Sequence, residues 1–145
     1  MSAMMPVYRD FIDTLIRGNS SEIRNLISRG QVNANSVITL EGDITVTPMF
    51  ICSVRGHVDA IQTLAALGAS VDTPNIQGCT PILIAAKEGE VATIKRLYKL
   101  GADLGCYTLT SGKKGSALGV AEAAHQEAAV ELIKSILSKI ESECE

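Results

Sequence analysis

Cysteine and histidine are the side chains in this 145-residue chain best suited to do chemistry, and there are four of the first and two of the second. Thiolates bind zinc or attack electrophiles, but zinc sites draw their ligands from closely spaced pairs. Cys52, Cys79, Cys106 and Cys144 show no C-x-x-C spacing, and His57 and His125 are too few to complete a set. A reactive thiol needs a basic neighbour, and the sequence sets none beside Cys79 or Cys106, both in loop regions. The stretch Ser111-Gly112-Lys113-Lys114-Gly115 suggests a phosphate-binding loop only briefly. Such a loop needs a glycine five places before Gly112 and a Ser or Thr after Lys113, and neither is present. No Ser-His-Asp grouping and no carboxylate pair in a defined setting occurs either. The expectation is a non-enzyme with no catalytic residues, no metal and no cofactor.

The elements that carry these residues follow a period. Gly78–Gly101 reads GCTPILIAAKEGEVATIKRLYKLG. Thr80 before Pro81 marks a helix start, since the hydroxyl caps backbone N–H groups and proline suits the first helical position. Ile82, Ala85 and Ala86 share a face at helical spacing, and Gly89 ends the short helix. Ile94, Leu97 and Tyr98 give a second helix its apolar stripe, closed by Gly101. Thr47-Pro48, Gly56 and Gly68 each stand 33 residues before Thr80-Pro81, Gly89 and Gly101. Gly18 and Gly30 keep the interval between the two glycines, and Ser116-Ala117-Leu118 followed by His125 repeats the pattern downstream. The apolar columns agree: Phe11, Met49, Ile82 and Leu118; Ile23, Ile61, Ile94 and Val130; Leu26, Leu64, Leu97 and Ile133. A small-residue column, Thr14, Cys52, Ala85 and Ala121, predicts close helix packing and places Cys52 in the core.

Thr-Pro-apolar-x-x-Ala at this period resembles the ankyrin repeat, whose signature is T-P-L-H-x-A within about 33 residues. The resemblance covers nearly the whole chain and implies an all-α solenoid of four helix-turn-helix repeats with β-hairpin fingers. The units fall at about 6–36, 43–75, 76–108 and 112–145 of a single domain, the first and last acting as caps. In the first, Arg9 and Asp10 replace the Thr-Pro step, and Asn19 with Glu22 resembles a capping box. The signature histidine is absent: Phe50, Leu83 and Gly119 stand in its place, which shifts stability toward apolar packing and predicts a buried Phe50. His57 and His125 read as structural, the latter in a turn that favours positive φ. Two connections are long. Residues 37–46, VITLEGDITV, read as a two-stranded ribbon about Glu41-Gly42-Asp43, and 106–110 as a strand before a second turn.

At 46% hydrophobic and 3% aromatic, the core must be built of Leu, Ile, Val and Ala. A net charge of −3 argues against nucleic acid, which selects basic surfaces. There is no apolar run of membrane-spanning length and no secretory signal at Met1, so the chain is expected to be soluble and cytoplasmic, with the nucleus left open. The resemblance implies that it binds another protein, as adaptor or inhibitor, through a concave face of fingers and first helices. In size and repeat number it is similar to small free-standing members that act on an actin-capping protein or on cyclin-dependent kinases. Carried over by register, the contact positions before the turns are Ile16 and Arg17, Val54 and Arg55, Lys87 and Glu88, and Ala123 and Ala124. Those on the fingers are Glu41, Asp43, Ile44, Val46, Gln77, Cys79, Tyr107, Lys113 and Lys114. Ile44 and Val46, exposed beside Arg17 and Arg55, are expected to form an apolar patch with basic neighbours. No membrane and no small-molecule substrate is expected, and the free chain is expected to be a monomer. The alternative is self-association through the long C-terminal helix, whose stripe is Ala129, Leu132, Ile133, Ile136, Leu137 and Ile140.

Overall fold

The computed structural model describes residues 6–40, 44–74, 79–104, 107–108 and 114–143, and side chains over 9–39, 45–74, 79–104 and 116–139. Its first helices begin where the sequence provides a cap. Thr47, Thr80 and Ser116 sit in extended conformation with their hydroxyls accepting from the N–H three residues on, Phe50 at 3.3 Å, Leu83 at 3.4 Å and Gly119 at 3.0 Å. Asn19 does the same for Glu22 at 3.2 Å, so half of the predicted capping box is made. The three hydroxyl caps start α3 (Pro48–Arg55), α5 (Pro81–Glu88) and α7 (Ala117–Ala123), Asn19 caps the second helix of the opening pair, and α1 (Pro6–Arg17) is the first helix of that pair. After a tight turn each is followed by α2 (Ser20–Ser28), α4 (Val58–Ala66), α6 (Val91–Lys99) or α8 (Glu127–Glu143).

A lone pair of short helices cannot bury its apolar faces, so the pairs stack. Helices α1, α3, α5 and α7 pack in one row and α2, α4, α6 and α8 in another. The predicted columns become the core. Phe11, Met49 and Ile82 are fully buried, as are Ile23, Ile61 and Ile94, and Leu26, Leu64, Leu97 and Ile133 are buried too. In the last pair Leu118 and Val130 are only half-buried, because they lie toward the end of the stack. The small column is buried throughout, letting neighbouring first helices approach closely. Phe50 and Leu83, at the signature-histidine position, are both buried, whereas Gly119 is exposed.

Polar side chains tie one pair to the next at the turns. His57 Nε2 lies 2.7 Å from the Ile16 carbonyl, and Gln126 Nε2 donates to the Lys87 carbonyl at 3.0 Å. At the other end of the pairs, Asn35 Nδ2 donates to Gly68 O at 3.0 Å while its Oδ1 accepts from Ser70 N at 2.8 Å. Asp72 Oδ1 accepts from Asp103 N at 3.1 Å. His57 is thus structural, as its place predicts. His125 holds φ 59°, the positive-φ turn expected of it.

The first ribbon pairs β1 (Ile38–Leu40) with β2 (Ile44–Val46) antiparallel, Ile38 opposite Val46, Thr39 opposite Thr45 and Leu40 opposite Ile44. The second pairs β3 (Tyr107–Thr108) with β4 (Lys114–Gly115). β1, β2 and β3 lie where the sequence predicts strands, whereas β4 falls in the stretch read as a turn. An expectation of exposure also fails here. Val46, expected to be exposed on the finger, is only 4% exposed, because its pairing with equally buried Ile38 turns that face of the ribbon against the helices.

Candidate protein-binding surface

A hollow of about 180 Å³ opens between α1, the end of β2 and α3. Ile12 and Ile16 come from α1, one turn apart and therefore on one face. Val46 supplies the ribbon side, and Phe50, Ile51 and Val54 come from α3. Phe50 and Ile51 form the floor with Val46, Ile12 and Val54 are half-buried walls, and Ile16 is a 36% exposed lip. Arg55 closes the lining, one turn after Ile51, with its side chain exposed. The result is an apolar recess with a cation at its edge.

The two arginines expected to flank this patch are not equivalent. Arg17 Nη2 pairs with Asp13 Oδ2 at 2.6 Å across one turn of α1, so its charge is already matched. Arg55 has no ion pair among the described residues. The hollow therefore gathers Ile16, Val46, Val54 and Arg55 from the predicted contact set, with Val46 as floor. Ile12, Phe50 and Ile51 join them although the sequence marked none of the three as a contact. Their signal was the i, i+4 spacing of Ile12 with Ile16 and of Phe50 with Val54, which reads equally well as core.

The remaining predicted contacts scatter. Lys87 and Glu88 are exposed at the end of α5, away from the hollow's lining. Ile44, Tyr107 and Lys114 have backbones in strands, but their side chains lie outside the described residues, as do Glu41, Asp43, Gln77 and Lys113 altogether. Cys79 is half-buried just before the Thr80 cap. Burial raises its thiol pKa, with the Lys87 ammonium pulling weakly the other way, and its Sγ donates to the Thr80 carbonyl at 3.7 Å. Cys52 is fully buried and pushed up to about 12 by the same desolvation. Neither thiol is activated as a nucleophile. Among the described residues no three His, Cys, Asp or Glu side chains gather as a metal would require, and no helix is long and apolar enough to cross a membrane.

The repeat period, capped first helices, turn glycines and stacked columns are matched by a family model. The model described as ankyrin repeats (3 copies) aligns with residues 11–108, more than half of the chain. The protein belongs to the ankyrin repeat family. Ankyrin repeats are generally protein–protein interaction modules, and the family is generally non-catalytic. Among curated proteins, the ankyrin array is similar to glycerophosphocholine phosphodiesterase GDE1 of Candida albicans, 35% identical over 89 residues. That alignment takes in 60% of this chain but only 8% of the phosphodiesterase, so the activity in that name stays with that protein. Within the ankyrin array, the hollow sits on the row of first helices beside the first ribbon.

Proposed function

We propose that this ankyrin array is a non-catalytic cytoplasmic module that captures one partner protein on its finger and first-helix face, as adaptor or inhibitor. The observation that carries the reading is the apolar hollow with Arg55 at its edge, a cation without an ion pair among the described residues. A hollow of this size accepts one aliphatic or aromatic side chain, and desolvated apolar pockets flanked by arginine are where binding energy concentrates. The partner's anchor is therefore an apolar side chain with a carboxylate nearby to meet the Arg55 guanidinium, a bidentate geometry that lysine would not supply.

The test is paired affinity capture with wild type and with Ile16→Glu/Arg55→Glu. Both positions are exposed, so circular dichroism should show the same fold for each bait. The expected result is a protein retained by wild type and lost by the variant, and restored binding of Arg55→Glu by a partner whose acidic contact is changed to lysine. Equal retention by both baits would move the binding face elsewhere on the stack.

A further inference from the structure

The face of α3 that lines the hollow recurs on α5 one unit later. By the repeat register Phe50, Ile51, Val54 and Arg55 correspond to Leu83, Ile84, Lys87 and Glu88, and α5 packs directly beside α3. Leu83 is buried and Ile84 half-buried, which carries the apolar surface on past Val54. Lys87 takes the place of Val54 at the centre of that face, while Glu88 lies about 100° further round the helix, level with Arg55. The Lys87 ammonium is close enough to Cys79, at the other end of α5, to draw the thiol pKa down against burial. Its side chain therefore lies back along α5, as helical side chains lean, and not out past the turn. Lys87 is exposed and, like Arg55, has no ion pair among the described residues. Beyond these two helices the face is neutral. Arg17 is matched by Asp13 on α1, and the same places on α7 hold Gly119, Val120, Ala123 and Ala124.

We propose, taking the hollow as the binding site, that the partner segment it holds is an extended strand crossing from α1 and α3 onto α5, with an apolar anchor in the hollow and a carboxylate about four residues away on Lys87. Neighbouring helices in a stack lie about 8–10 Å apart. The hollow opens between α1 and α3, so Lys87 on α5 is one and a half such steps from its centre, about 12–15 Å. An extended chain advances about 3.3 Å per residue and alternates its side chains, so residues i and i+4 stand about 13 Å apart on one side. A helix covers the same span only in about eight to ten residues. The shape of the hollow points the same way. It lies between two helix axes and admits one side chain, whereas a helix is itself about 10 Å across. Lys87 is then a specificity residue: it selects an acidic side chain at one spacing from the anchor, as a flexible point charge can.

End-blocked Ser-Gly peptides, titrated to about 5 mM into the isotope-labelled full chain and followed by NMR, test this. Each carries a Phe-Asp pair for the hollow and Arg55. One has a Glu four residues after the Phe, one four residues before it, one about nine residues away, and one no Glu. One of the two four-residue peptides should shift the amides of Ile16, Val54, Arg55 and Lys87, and bind about two- to fivefold tighter than the peptide without Glu. Lys87→Glu, at an exposed site and with an unchanged circular dichroism spectrum, should abolish that gain, and a peptide with Lys in place of the Glu should recover it on the variant. Shifts at the hollow that ignore the position of the Glu, or a gain that survives Lys87→Glu, overturn the proposal and leave the hollow itself standing. Tightest binding by the nine-residue peptide rejects the strand in favour of a helical partner. No shift at Ile16, Val54 or Arg55 with any peptide overturns both the strand and the hollow as a binding site.

Discussion

The turn between α5 and α6 gives a sharp test of how the stack holds its register. Gly89 sits at φ 72°, and a Cβ built there would overlap the Gln126 amide, which reaches over from the next pair to bond the Lys87 carbonyl. Gly30 has nearly the same backbone, φ 74°, but open space where its Cβ would be. Gly30→Ala therefore pays only for the left-handed conformation, about 1–2 kcal/mol, partly offset by about 0.4–1 kcal/mol from a less flexible unfolded chain. The net loss is about 1 kcal/mol by that difference. Gly89→Ala carries the same loss and must also displace Gln126, whose hydrogen bond contributes about 0.5–1.5 kcal/mol, so its total is about 2 kcal/mol.

Urea unfolding followed by circular dichroism, with matched m-values, measures both costs. The decisive arm is a double-mutant cycle. In a Gln126→Ala background nothing overhangs the turn, and Gly89→Ala should cost only about as much as Gly30→Ala, a coupling near 1 kcal/mol. Equal costs for the two glycine variants in the wild-type background would refute the reasoning. So would strict additivity of Gly89→Ala with Gln126→Ala.

Phe50→Ala should lower stability by about 3–5 kcal/mol, because the ring is buried with 9% exposed; a thermal melt within a degree of wild type would contradict this. Thr93 is fully buried with no hydrogen-bond partner for its hydroxyl among the described residues, unlike Thr14, Ser53 and Thr63, which donate to carbonyls four residues back. Thr93→Val keeps the shape and removes the stranded hydroxyl, so it should raise stability by about 1–2 kcal/mol, and a lowered melting temperature would exclude the assignment. Cys52 ionises near 9.0 when unfolded but at about 12 when folded, so the folded state holds the proton longer. Its contribution is complete below pH 9 and falls by about 1.4 kcal/mol per pH unit as pH rises toward 12. Wild type should therefore lose stability relative to Cys52→Ala across that window, and parallel pH profiles would refute it. Glu90 overhangs Gly56 as His57 overhangs Gly18 and Gln126 overhangs Gly89, but a carboxylate cannot donate as those two side chains can; Glu90→Gln supplies a donor at the place equivalent to Gln126 and should stabilise by about 0.5–1 kcal/mol, and an unchanged melting temperature would refute it.

The parts of the fold legible in the sequence are those set by local rules. Thr47, Thr80 and Ser116 declare helix starts, and Phe11, Met49 and Ile82 repeat at one period because each faces the same neighbour in successive units. The hollow was not legible in the same way. In Val37–Val46 isoleucine and threonine alternate on both sides of the turn, so the pattern shows that one face is apolar but not which way that face turns. Docking against α1 and α3 decides it, and buries Val46 where an exposed finger position was expected. The charge balance was there to read, since Asp13 stands four residues before Arg17 on one helix face whereas apolar Ile51 stands four before Arg55, and the structure forms the first pair.

The turn positions show how a long-range constraint can look like a local one. Gly18, Gly56 and Gly89 suit positive φ, but each also lies beneath a side chain from the next pair, His57, Glu90 and Gln126 in turn. Those three residues differ in type, so they form no motif, yet they occupy one place, and a Cβ below would have to displace the His57 ring or the Glu90 or Gln126 tip. At the fourth turn His125 adopts φ 59° with its side chain exposed and no further helix pair laid over it among the described residues. The backbone requirement is the same at all four turns, and a non-glycine residue meets it there. What excludes a side chain at the other three is therefore the stacking above them as much as the backbone, which makes glycine at those turns a mark of contact between repeats.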